Sequence, residues 1–168
     1  MSLHEDLLAQ AEFLARHEPK RPKQATLRRA ISTAYYALFH LLIHEASRLY
    51  AGHRELISSI VRVYGHGEMY EVSVAFSAGD WPKAFNRVKS SFQIRQELRD
   101  VANAFVVLQQ ARLDADYNLA RTFNRRDTIA FIDQVKLVFS EWEAIRRDDL
   151  SRIYLACFMN WKQWDKTR

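Results

Sequence analysis

The chain has 168 residues, 48% of them hydrophobic, with four glycines and three prolines, and its 25 Lys and Arg against 20 Asp and Glu give a formal charge of +5. That length and apolar content suit one compact domain made of few, long elements, and the mild basic excess is compatible with an anionic partner without naming one. No run of about eighteen apolar residues occurs, which excludes a helical membrane span, and the single cysteine, Cys157, excludes an internal disulfide and a thiolate metal cluster within the chain.

The opening MSLHEDLLAQ carries acids early and lacks a positive segment followed by an apolar one, so a cytoplasmic location is expected. Leu3, Leu7, Leu8, Ala11, Leu14 and Ala15 recur at helical spacing and predict a helix from Leu3 to Glu18. It stops ahead of Pro19, because a proline disfavours α backbone in the residue before it. After the basic connector PKRPKQ, a long helix is expected from about Gln24 to Tyr50, ended by Gly52. Ile31, Ala34, Leu38, Leu41, Leu42 and Leu49 cover most of its circumference, while Arg29, Thr33, Tyr36, His40 and Ser47 share one narrow sector with His44 at its edge. Such a helix belongs inside a bundle. Its polar stripe needs partners or water, since burying Arg, Tyr and His unpaired costs free energy.

Next, His53 to Tyr64 predicts a short helix with Leu56, Ile57, Ile60, Val61 and Tyr64 on one face. Met69 to Phe76 is ambiguous between a helical turn and an extended piece, and AGDWP reads as a turn in which Asp80 caps whatever starts at Trp81. Lys83 to Asn118 carries a second long helical pattern, with Leu98, Val101, Phe105 and Leu108 on its apolar face and Arg112 and Asp116 beside them. A further helix is predicted from Asp127 or Thr128, and a last one after Asp149 with Leu150, Ile153, Tyr154, Cys157, Phe158 and Trp161 at three-and-four spacing. No alternating strand and no internal repeat is visible. The expected fold is therefore all-α, an up-and-down helical bundle around two long central helices. Residues 1–147 would form the bundle and 148–168 a C-terminal helical extension packing on it or on a partner.

If the two central helices are neighbours, Tyr36 and His40 on one, with Arg29 as a further candidate, meet Arg112 and Asp116 on the other. One reading is a satisfied Arg–Asp network that fixes helix packing. The other is an anion or phosphodiester site, in which Arg112 grips phosphate through two bonds, His40 moves a proton near neutral pH and Asp116 orients one of them. His40 and His44 stand four apart, a spacing able to hold zinc or nickel if Asp116, His53 or His66 supplied a third ligand. Packed histidines are the commoner cause of such a pair, and neither a metal nor a cofactor is expected. Lys20, Arg21, Lys23, Arg28 and Arg29, with Arg121, Arg125 and Arg126 elsewhere, form either a phosphate-binding face or a solvated surface.

The string RRAISTAYYALFH, followed some seventy residues later by ARLDADYN, resembles the HEPN superfamily of small prokaryotic helical-bundle proteins, in the branch with an AYYA-x-FH helix and a later R-x-x-x-D-Y motif. The resemblance covers roughly Leu3 to Ile145. It implies an up-and-down bundle, a homodimer, association with toxin–antitoxin, defence or nucleotidyltransferase-partner systems and, in many members, metal-independent endoribonuclease activity. On that footing Arg112, Asp116 and His40 are candidate catalytic residues, and Arg29, Tyr36, Tyr117 and Asn118 are candidate binding residues for RNA or a nucleotide. Ribonuclease members resemble one another in an Arg followed four to six residues later by His. Here Arg112 is followed by Asp116, Tyr117 and Asn118, with no His.

Weak or no ribonuclease activity is therefore expected, in an RNA- or nucleotide-related component of a toxin–antitoxin or defence module. The alternative is a non-catalytic interaction module whose polar cluster only holds the bundle, and whose surface engages a nucleotidyltransferase-like or antitoxin protein. Phe158, Met159, Trp161 and Trp164 offer apolar surface to the bundle itself, to a second copy or to such a partner.

Overall fold

The computed structural model describes residues 2–166 and is an all-α helical bundle. Its helices are α1 (Leu3–Arg16), α2 (Gln24–Arg48), α3 (Arg54–Ile60), α4 (His66–Ser77), α5 (Gln96–Tyr117), α6 (Arg125–Ile145) and α7 (Asp149–Trp164), and no strand occurs among the described residues. None of these helices is long and apolar enough to cross a membrane.

Contacts divide the chain into two compact units, the first running to Leu41 and resuming at Ala104–Ser140, the second comprising Leu42–Asn103 and the chain from Glu141 onward. In the first unit, Leu27, Ile31, Ala111, Ala115 and Phe123 form a buried cluster with Phe131 packed against it. Tyr35, Leu38, Phe105 and Leu108 are fully buried alongside α2 and α5. In the second unit α7 packs on α4, where the Ser73 and Tyr154 hydroxyls lie 2.8 Å apart and the Phe76 and Tyr154 rings 5.0 Å apart. Thus α7 belongs to this unit. Cys157 lies in its interior, completely buried, and burial pushes its thiol pKa upward.

Helix ends are fixed by side chains that the periodic pattern does not reveal. The Arg125 guanidinium donates to the carbonyls of Ala15 at 3.1 Å and Pro19 at 2.9 Å, and to that of Glu18, so α1 ends at Arg16 and not at Glu18. The start of α6 is set by Asn124, whose Oδ1 accepts from the Asp127 amide at 2.9 Å while its Nδ2 donates to Asp127 Oδ2 at 2.7 Å. The helix therefore begins at Arg125, ahead of the predicted Asp127 or Thr128.

The stretch Met69–Phe76, open between a helical turn and an extended piece, is helical, inside α4. One further expectation needs correction. The second long helix begins only at Gln96, and residues 83–91 instead contain two short 3-10 turns, Lys83–Phe85 and Lys89–Ser91. Gly79, at φ 80°, closes α4: its amide donates to the Phe76 carbonyl at 3.0 Å, and the Asp80 amide to that of Ala75 at 2.8 Å. Asp80 then accepts from the Trp81 amide at 3.0 Å and pairs with Lys89, holding the following segment in a compact loop. Trp81 is buried in it.

Candidate functional site

In the first unit, residues one turn apart on α2, Ser32 and Tyr36, face residues one turn apart on α5, Arg112 and Asp116. Arg112 Nη2 donates to the Tyr36 hydroxyl at 3.1 Å, and Ser32 Oγ donates to Asp116 Oδ1 at 2.5 Å. Arg112 Nε lies 2.8 Å from Asp116 Oδ2. That Nε–H is nevertheless buried without an aligned acceptor, so the closest approach is a contact of charges and not a directed hydrogen bond. Helical spacing explains the geometry: each pair stands at i and i+4, and the two helices meet along that shared face.

The guanidinium carbon of Arg112 lies 5.7 Å from the centroid of the Tyr36 ring and 5.5 Å from that of Tyr117. The cation thus rests against two phenol faces, which attract it through the ring quadrupole. Only 18% of the Arg112 side chain and 26% of the Asp116 side chain reach solvent, so the pair is half-sheltered and not sealed. Burial acts to lower the Arg112 pKa, but the fields of Tyr36 and Asp116 outweigh it and the net shift is upward. Arg112 is a fixed positive charge.

The other proposed site residues fall differently. His40, one turn beyond Tyr36, has its ring 6.4 Å from Tyr36 and 5.5 Å from Phe39. Among the described residues no hydrogen bond joins it to Arg112 or Asp116, so it borders the cluster without belonging to it. Burial lowers its pKa, which keeps the imidazole neutral at pH 7. Arg29 is exposed and has no place in the cluster. Tyr117 is 69% exposed at the end of α5, with its ring on Arg112. Asn118 organises the chain turn after α5, its Oδ1 accepting from the Ala120 amide at 3.2 Å and the Arg121 amide at 3.3 Å. Among the described residues no group of three His, Cys, Asp or Glu is placed to hold a metal, and His44 instead has Nδ1 3.9 Å from Glu45.

Part of the basic face read from the sequence is spent on helix ends and neighbouring side chains. Arg28 donates to the carbonyls of Asp114 at 3.3 Å, Ala115 at 2.8 Å and Asn118 at 3.0 Å, and to that of Arg121, covering the C-terminal end of α5 where the helix dipole is negative. Arg121 pairs with Asp114, and its guanidinium carbon lies 5.0 Å from the Phe123 centroid. With Arg125 bound to the end of α1, three of the proposed phosphate ligands are committed to backbone and neighbours.

Sequence reading overlooked Ser32, whose spacing from Tyr36 was the available signal. It also overlooked two clefts in the second unit, of about 480 Å³ and 380 Å³. They lie beside the loop that the helical pattern had assigned to the start of α5. Comparison with family models, with curated proteins and with solved structures returns no match.

Proposed function

We propose that the chain is a HEPN-like protein that engages RNA or a nucleotide through the Arg112 cluster without efficient cleavage, as a component of a toxin–antitoxin or defence module. The observation that carries this reading is the Arg112 guanidinium resting on the Tyr36 and Tyr117 rings, with Tyr117 largely open to solvent. A base stacks on the free face of such a ring while the charge behind it attracts phosphate. The homodimer implied by the family resemblance remains part of this proposal.

Cleavage is a different demand. Metal-independent transesterification needs a group to take the 2′-hydroxyl proton and donors to stabilise the charged phosphorane. Asp116 stands where ribonuclease members carry an imidazole, and both its oxygens are engaged, by Arg112 and by Ser32. His40 has the right protonation state but no hydrogen bond into the cluster. With Arg28, Arg121 and Arg125 occupied elsewhere and Lys23 beside Glu18, Lys20, Arg21, Arg29 and Arg126 remain to meet phosphates, so binding should be salt-dependent. On single strands the logarithmic salt slope is about −0.7 per phosphate neutralised.

The test is fluorescence anisotropy of labelled single-stranded RNA at low salt in EDTA, with gel analysis of the same samples. Saturable binding, weakened in both Tyr117→Ala and Arg112→Gln, with the RNA left intact, is the expected result. Rapid cleavage lost in Arg112→Gln would overturn the non-cleaving assignment, and absence of binding would overturn the RNA assignment. A second reading, a contact surface for a second copy or for a nucleotidyltransferase-like or antitoxin partner, is favoured by Leu119 at 90% and Tyr117 at 69% exposure. Light scattering on Leu119→Ser separates the two, because only the second reading requires that substitution to change the assembly.

A further inference from the structure

In the second unit the loop between α4 and α5 stands over the first turns of α7 and encloses a cleft of about 480 Å³. Trp81, Phe85, Val88 and Phe92 form one wall, with Leu49 and Ile153 among the residues opposite. The Trp81 and Phe85 rings are stacked, with centroids 6.1 Å apart and planes 12° from parallel, so this wall is aromatic. A second cleft of about 380 Å³ adjoins it, because Phe92, Asp149 and Leu150 line both. The second is the more polar of the two, and Arg95, Arg147, Asp148 and Ser151 are among its lining.

Its charges are unequally committed. Arg95 is held by Glu97 at 2.5 Å and Asp148 at 3.0 Å. Arg147 in the polar lobe and Arg152 at the apolar lobe make no ion pair or side-chain hydrogen bond among the described residues, so two guanidinium groups stand uncommitted beside the Asp149 carboxylate. Ser151, 1% exposed, has a buried hydroxyl without a hydrogen-bond partner. An orphaned buried hydroxyl costs free energy until something accepts from it. Each lobe also falls within the ~300–1,000 Å³ typical of small-molecule clefts.

We propose that this two-lobed cleft binds a small amphiphilic carboxylic acid, with its flat apolar body against Trp81, Phe85 and Phe92 and its carboxylate at Arg147 beside the Ser151 hydroxyl. The uncommitted Arg147 guanidinium selects an anion. Asp149, shared by both lobes, penalises a second negative charge, which favours a monocarboxylate over a phosphate ester. The stacked rings suit an aryl body, since aromatic groups prefer offset or edge contacts with such a wall.

The experiment is calorimetric titration of the full chain with 1-naphthaleneacetate and with 1-naphthaleneacetamide, which keeps the body and removes the charge. Saturable binding of the acid is expected, with the amide about tenfold weaker. Arg147→Gln should weaken the acid about tenfold and leave the amide unchanged, because only the acid uses that cation. Phe92→Ala should weaken both. Ser151→Ala should weaken the acid while the thermal midpoint of the ligand-free protein holds or rises, an outcome that a purely structural serine does not produce. The proposal is overturned if the acid does not bind saturably, if acid and amide bind equally, or if Arg147→Gln changes neither. RNA binding at Arg112 enters none of these readouts.

Discussion

The hydroxyl of Ser32 on α2 donates to Asp116 Oδ1 on α5 at 2.5 Å, so the carboxylate that occupies the motif position is engaged from two helices at once. Its other oxygen faces Arg112, which reaches back to Tyr36 on α2. The two helices are tied by a closed ladder of polar contacts. A group so held orients its neighbours well, but moving a proton would disturb the whole ladder.

The ladder predicts non-additive stability. Arg112→Ala removes one contact each from Asp116 and the Tyr36 hydroxyl and should cost about 1–3 kcal/mol in urea unfolding. Asp116→Ala should cost a similar amount, and the double variant less than the sum, with a coupling of ~0.5–3 kcal/mol. Additive effects would mean that the 2.8 Å approach of Arg112 Nε to Asp116 contributes nothing in solution.

His40 makes stability pH-dependent in a defined direction. Burial lowers its folded pKa below the unfolded value of about 6.5, so the neutral imidazole is the form the fold prefers. Its contribution is therefore complete above that value and is lost as pH falls towards the folded pKa. Urea midpoints should drop between pH 7.5 and pH 5.5 in the wild type, and His40→Gln should flatten part of that slope. An unchanged slope would place the acid sensitivity elsewhere.

Arg28 distinguishes a helix cap from a phosphate ligand. It serves four carbonyls at the end of α5, a task that needs the planar fork of a guanidinium. Arg28→Lys should therefore destabilise the fold almost as much as Arg28→Ala, by about 1–3 kcal/mol. An RNA-contacting Arg28 would give the opposite pattern, with stability kept and affinity reduced.

Gly79 should disfavour a side chain. Its φ of 80° is costly for other residues, and a Cβ there would displace the Arg99 guanidinium, which donates to the Ala78 carbonyl at 3.0 Å. Gly79→Ala should cost about 1–2 kcal/mol from backbone strain alone, measured by thermal or urea unfolding.

These features show what periodicity can and cannot report. Apolar spacing located α2, the core-facing part of α5, α6 and α7, and projection brought Tyr36, Arg112 and Asp116 onto facing sides. It misplaced the start of α5 because residues 83–92 satisfy a helical pattern that the surroundings override. Pro82 follows a left-handed glycine turn, Asp80 pairs with Lys89, and Trp81 is buried within the loop. The roles of Arg28 and Arg125 were illegible for a related reason. Their partners are backbone carbonyls at the ends of helices distant in sequence, which leave no mark on composition or spacing. Ser32 was hidden by its small size on a mostly apolar helix.

Cys157 gives the molecule a built-in gauge of its own opening. The thiol is fully buried, and its raised pKa keeps it protonated and unreactive while α7 is in place. Because it is the chain's only sulfhydryl, every labelling event reports the same region. A thiol-specific reagent should react at a rate proportional to the population in which that helix has detached. Following that rate in the Gly79 substitution would show whether loosening the α4–α5 loop is felt in the interior of the second unit.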